Sequence, residues 1–137
     1  MQVRDIMKKG AKVINHKHSV EEAARMMAQG DYGSLPVEKD DKMIGMLTDR
    51  DIAVRVVAQG KDARSTKVEE CMSEGITYCY EDDDIQVVSQ KMREKKQRRL
   101  PVVNKEKRLV GMVSLSEVSN NVNDARVTQD IMSKVTH

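Results

Sequence analysis

The sequence predicts an α+β fold of two tandem βαββα repeats packed with pseudo-twofold symmetry, and two observations lead there. The first is internal repetition. Shifting the chain by 65 positions places Val3 on Val68, Met7 on Met72, Gly10 on Gly75, Met27 on Met92, and Leu35-Pro36-Val37 on Leu100-Pro101-Val102. After one extra residue in the second hairpin turn, Gly45-Met46 falls on Gly111-Met112, and Thr48-Asp49-Arg50-Asp51 falls on Ser114-Leu115-Ser116-Glu117. Self-similarity at a fixed offset marks repeated structural units. The second observation is size. A unit of roughly 60 residues is marginal alone, and a three-stranded sheet with two helices leaves one apolar face bare, so two copies bury those faces against each other. The 137 residues divide into repeat 1 (1–64), repeat 2 (65–124) and a C-terminal extension (125–137).

In the first repeat, Val13-Ile14 is a short strand. Ser19-Val20-Glu21-Glu22 is a capping box, and it opens a helix that runs to about Gln29 and stops at Gly30. Ala23, Ala24, Met27 and Ala28 give that helix its apolar stripe. Two strands, Ser34 to Glu38 and Met43 to Leu47, flank the polar turn Lys39 to Lys42, and Thr48 starts a second helix ending at Gly60. Pro36 removes a ladder donor and belongs at an edge or a bulge. Lys61 to Lys67 is the linker. The second repeat follows the same order: a strand near Thr77 to Tyr80, a helix from Asp84 to about Lys96, strands Arg99 to Val103 and Leu109 to Val113, and a helix from Ser114 to Val122.

Composition removes several function classes. Charged residues make up 34% and hydrophobic residues 39%, and no apolar run approaches the roughly 20 residues of a membrane span. No apolar stretch follows the basic residues near Met1, so the start does not read as a secretory signal, and a cytoplasmic location is expected. Acidic and basic residues interleave to a net charge of +2, with no Trp, no Phe and three tyrosines. That leaves neither the basic footprint nor the ring platforms of nucleic-acid binding. Cys71 and Cys79 align with Ile6 and Ile14, so both are expected as buried free thiols. The same alignment argues against a metal site made from them with His16-Lys17-His18. No Ser/His/Asp set, HExxH, P-loop or GxGxxG is present, and no catalysis is expected.

Val3-Arg4-Asp5-Ile6-Met7, Ser34-Leu35-Pro36-Val37, Arg98-Arg99-Leu100-Pro101-Val102 and above all the run from Gly45 to Asp62 resemble tandem CBS-domain proteins, the Bateman modules, in their stand-alone form. The resemblance covers nearly the whole chain. It implies a regulatory module with two inter-repeat clefts that hold AMP, ADP, ATP or S-adenosylmethionine and signal to a partner protein. It also implies residue roles. Asp51 takes the ribose hydroxyls, Thr48 stands near the phosphate with Arg50 beside it, and Arg99 with Arg98 binds phosphate. Ala11, Lys12, Val13, Leu35 and Pro36 lie against adenine. The chemistry suits these residues, because an ionised carboxylate accepts two hydrogen bonds from a cis-diol, while a hydroxyl and free helix amides suit an anion.

The second copy departs from the pattern, with Ser114 and Glu117 in place of Thr48 and Asp51, and the first carries Gly33-Ser34 where the second has Arg98-Arg99. The Asp51 cleft is therefore expected to be the better nucleoside site. Both Thr48-x-x-Asp51 and Ser114-x-x-Glu117 also fit plain capping boxes. A ligand-free interaction scaffold on the same fold is the competing reading. The resemblance further implies a homodimer joined through helices, with Val54, Val57 and Val118 as its exposed apolar surface. Val127 to Lys134 echoes the start of the chain and either adds a helix to the seam or joins the dimer contact.

Overall fold

The structure, a computed structural model, describes residues 1–10 and 12–121. Expectations for Ala11, Val122 and the extension lie outside these residues. The chain starts with a 3-10 turn at Val3–Asp5 and a two-residue strand β1 (Lys8–Lys9). It continues through β2 (Ile14–Asn15), α1 (Val20–Gly30), β3 (Ser34–Lys39), β4 (Lys42–Thr48), α2 (Asp49–Ile52) and a π turn at Ala53–Val57. The second repeat supplies α3 (Val68–Cys71), β5 (Cys79–Tyr80), α4 (Ile85–Lys95), β6 (Arg99–Val103), β7 (Leu109–Ser114) and α5 (Leu115–Asn121).

Packing units cut across the repeats. Among the described residues, 1–10 pack with 77–121, and Lys12–Ile76 forms the other unit. Each unit thus joins the first residues of one repeat, here called its lead, to the remainder, or body, of the other. In the Lys12–Ile76 unit the sheet order is β2-β3-β4, with β2 parallel and β4 antiparallel to β3. The other unit has the order β1-β7-β6-β5, with β5 parallel to β6. Both central hairpins bulge at the same place, between Val37/Glu38 and between Val102/Val103.

Pro36 sits on the middle strand rather than on an edge. Pairing with β2 begins only at Val37, one residue later, so the missing donor falls where the ladder on that side has not started. Helix α1 buries Val20, Ala23 and Met27, while Ala24 and Ala28 are exposed, which narrows the expected stripe to i, i+3 and i+7. Its last residue is Gly30 and the left-handed cap is Asp31 (φ 55°). The Tyr32 ring packs over Gly30, where a Cβ would stand 1.9 Å from it, so a larger residue would displace the ring. The helix expected from Thr48 to Gly60 is four α-helical residues followed by the π turn. Val118 is buried at 1% exposure, against the expectation of an exposed dimer surface. With the extra hairpin residue counted, it corresponds to half-buried Ile52 rather than to Val54, and it shares its inward face with Leu115.

Candidate ligand site at two strand-to-helix junctions

Strand β4 delivers Thr48 in extended conformation to the start of α2. The chain turns there because Thr48 and Asp51 satisfy each other. Thr48 Oγ1 accepts from the Asp51 amide at 3.0 Å, and Asp51 Oδ2 accepts from the Thr48 amide at 3.0 Å. The capping reading of this pair is therefore realised. The Asp51 carboxylate has two further neighbours. Ser73 Oγ donates toward Oδ1 and Oδ2 at 3.3 and 3.4 Å, and the Arg55 Nε lies 4.0 Å from Oδ1. Its side chain is only 12% exposed, yet two carboxylate oxygens offer about four acceptor positions, more than one amide and one hydroxyl fill.

The amides expected to be free for an anion are engaged. Asp49 N donates to Gly33 O at 2.9 Å, Arg50 N to Asp49 Oδ1 at 2.9 Å, and Asp51 N to Thr48 Oγ1. Gly33 lies close to this carboxylate: a Cβ on it would stand 2.8 Å from Asp49 Oδ2, so a larger residue there would displace the Asp49 side chain. Beside the junction, Ser34 pairs in register with Thr48, buried Leu35 with Leu47, and Pro36 with Met46. Arg50, Lys12 and Val13 are exposed in the same unit.

In the other unit Ser114 and Glu117 form the matching cap. Glu117 Oε1 accepts from both Ser114 N at 2.8 Å and Ser114 Oγ at 3.0 Å, and the Glu117 amide donates to Ser114 Oγ at 3.3 Å. The longer side chain folds back and gathers both bonds on one oxygen. Arg99 stands across the ladder from Ser114, and the Arg98 carbonyl accepts from the Leu115 amide at 2.7 Å. Both arginines are exposed. Within units, then, Ser34, Thr48 and Asp51 come together, and Arg98, Arg99, Ser114 and Glu117 come together.

Sequence reasoning did not single out Ser73 and Arg55. The signal for Ser73 was its place after Met72 in the repeat of the lead. Arg55 holds that lead by donating from Nη1 to the carbonyls of Cys71 (3.2 Å) and Met72 (3.0 Å). Both cysteines are buried and free, and burial pushes the Cys79 thiol up to about 12. Among the described residues no cluster of three or more His, Cys, Asp or Glu side chains could hold a metal ion, and no helix is long and apolar enough to cross a membrane.

A family model described as "CBS domain" matches residues 3–58 and 68–124. The CBS domain-containing protein YhcV of Bacillus subtilis is 33% identical over 135 residues, which cover 98% of this chain and 95% of that protein. The structure of Hypoxic Response Protein I, solved with two coordinated zinc ions, superposes with a TM-score of 0.78 at 33% identity, covering 89% of this chain and 99% of the other. The CBS domain pair of protein MJ0100, solved with 5′-methylthioadenosine and S-adenosyl-L-methionine, gives a TM-score of 0.70 at 30% identity, covering 88% of this chain and 94% of the other.

Proposed function

This chain belongs to the CBS-domain family, and from that premise we propose that it is a regulatory module which binds an adenosine nucleotide and signals to a partner protein without performing chemistry. The ligand class is AMP, ADP, ATP or S-adenosylmethionine, and the adenosine compounds held by the MJ0100 pair support it. The observation that carries the reading is the Asp51 carboxylate, fixed by the Thr48 amide, with the Ser73 hydroxyl weakly placed against it and Arg55 Nε 4.0 Å away. A ribose diol takes the place of the Ser73 hydroxyl and meets a preset acceptor. Adenine lies toward Lys12, Val13, Leu35 and Pro36. For phosphate, the guanidinium forks of Arg98 and Arg99 are the suitable groups. The module works in the cytoplasm as a homodimer, and exposed Val54 and Val57 support the pairing surface.

A second reading, the ligand-free scaffold, is favoured by one observation: Asp51 and Thr48 already have a complete structural job as a cap. Calorimetric titration separates the two. Wild type binds at least one of AMP, ADP, ATP and S-adenosylmethionine below millimolar concentration. Asp51→Ala removes charge-assisted hydrogen bonds of about 1.5–3 kcal/mol, a loss on the order of 10- to 100-fold in affinity. Arg99→Ala weakens AMP and ATP far more than adenosine. No binding by wild type at millimolar nucleotide, or an Asp51→Ala titration that matches wild type, hands the function to the scaffold.

A further inference from the structure

Both leads dock on their bodies through the same backbone bonds. In one unit, Val3 N donates to Asp83 O (2.9 Å), Arg4 N to Glu81 O (2.9 Å) and Ile85 N to Met1 O (3.1 Å). In the other, Val68 N donates to His18 O (2.8 Å), Glu69 N to His16 O (3.1 Å) and Val20 N to Thr66 O (2.9 Å). Every donor and acceptor in the second set lies 65 positions from its counterpart in the first. The apolar anchors are also the same residue types, Val3 and Val68 at 0% exposure and Met7 and Met72 behind them. These three backbone bonds and the paired Val and Met anchors do not tell one lead from the other, although Ile6 of the first lead aligns with buried Cys71 of the second.

One aligned charged position differs in a way that pairs with a body side chain in both units. In the first lead Arg4 reaches Glu81, with Nη1 3.5 Å from Oε1. In the second lead the aligned residue is Glu69, and it meets His16, aligned with Glu81, at 2.5 Å between Oε2 and Nδ1. The pair is kept and its sense is inverted: lead donor on body acceptor in one unit, lead acceptor on body donor in the other. Exchanging the leads would set the Glu69 carboxylate against the Glu81 carboxylate, a like-charge encounter, and would give the Arg4 guanidinium the His16 ring in place of a carboxylate, so one pair turns repulsive and the other loses its ionised acceptor.

We propose that the Arg4–Glu81 and Glu69–His16 pairs are a pairing code which directs each lead to the body of the other repeat. Shared backbone bonds supply the attraction, and the inverted pairs supply the choice. Such pairs discriminate between partners more than they add affinity.

Amide hydrogen exchange on the full chain tests this at Arg4 and Glu69, whose amides donate only when the leads are docked. Reversing both leads (Arg4→Glu with Glu69→Arg) should speed exchange at these amides by about tenfold, and by more than the neutral pair Arg4→Met with Glu69→Met does, because reversal adds repulsion to lost attraction. Reversing the bodies as well (Glu81→Arg with His16→Glu) should return protection to within about threefold of wild type. A purely structural role for these side chains would not be rescued by four simultaneous changes. If a chain carrying the His16 change does not fold, the partly exposed Arg4–Glu81 pair is tested alone, with Arg4→Glu against Arg4→Glu/Glu81→Arg. Wild-type protection in the lead-reversed chain, or no rescue in either reversed-pair chain, overturns the proposal.

Discussion

The Glu69 carboxyl is held below its ordinary value chiefly by the hydrogen bond to His16, against some desolvation, with further help from the charges of His16, Lys67 and Lys17. A carboxyl whose pKa falls on folding binds fewer protons in the folded chain than in the unfolded one. Its contribution to stability is therefore complete above the ordinary carboxylate pKa and is lost as pH drops through the lowered folded value. Wild type should accordingly lose more of its urea midpoint than Glu69→Gln between about pH 5 and about pH 3, and parallel losses would show that this carboxyl is not responsible. At this scale the junction pairs were legible in the sequence, because Thr48 with Asp51 and Ser114 with Glu117 are three residues apart and a turn of chain forces them together. Ser73 and Arg55 were not legible beside Asp51. They arrive through the docking of a lead 22 residues away and through a side chain that holds it.

Among the elements, strands β4 and β7 each admit a lead at their outer edge only because a glycine faces it. Met46 bridges to Ser73, and β1 pairs with β7 through Lys9 and Gly111. A Cβ at Gly45 would stand 2.7 Å from the Ser73 carbonyl oxygen, and one at Gly111 would stand 2.6 Å from that of Lys8. Both obstacles are backbone and cannot rotate away. Gly45→Ala and Gly111→Ala should each lower unfolding free energy by about 1–3 kcal/mol, as overpacking does, and a denaturant titration giving less than about 0.5 kcal/mol would refute the close approach. Helices α1 and α4 and the four longer strands were readable because caps, periodicity and turn residues are local signals. The short pieces β1 and α3 carry no such signal: two and four residues long, they are ordered by the body they dock on.

For the molecule as a whole, the repeat was visible in the sequence but the exchange of leads between bodies was not, since a 65-residue offset is the same whichever body each lead joins. The exchange makes a prediction that reading along the chain would reverse. Val3 is fully buried among Cys79, Ile85, Val88, Leu100 and Val102, all residues of the second repeat. Val68 is fully buried among Val20, Leu35, Leu47 and Val56, all residues of the first. Removing two methyl groups from either site should destabilise its unit by about 1–3 kcal/mol, combining lost transfer energy with a small cavity. The loss should fall far from the substitution in sequence. Val3→Ala should speed amide exchange in β6, β7 and α4 more than in β3 and β4, and Val68→Ala should do the opposite. Hydrogen exchange with residue resolution reads both variants directly, because local opening reports the unit that has been weakened. If Val3→Ala loosened β3 and β4 first, each lead would be packing with its own repeat, and the crossed arrangement would be wrong.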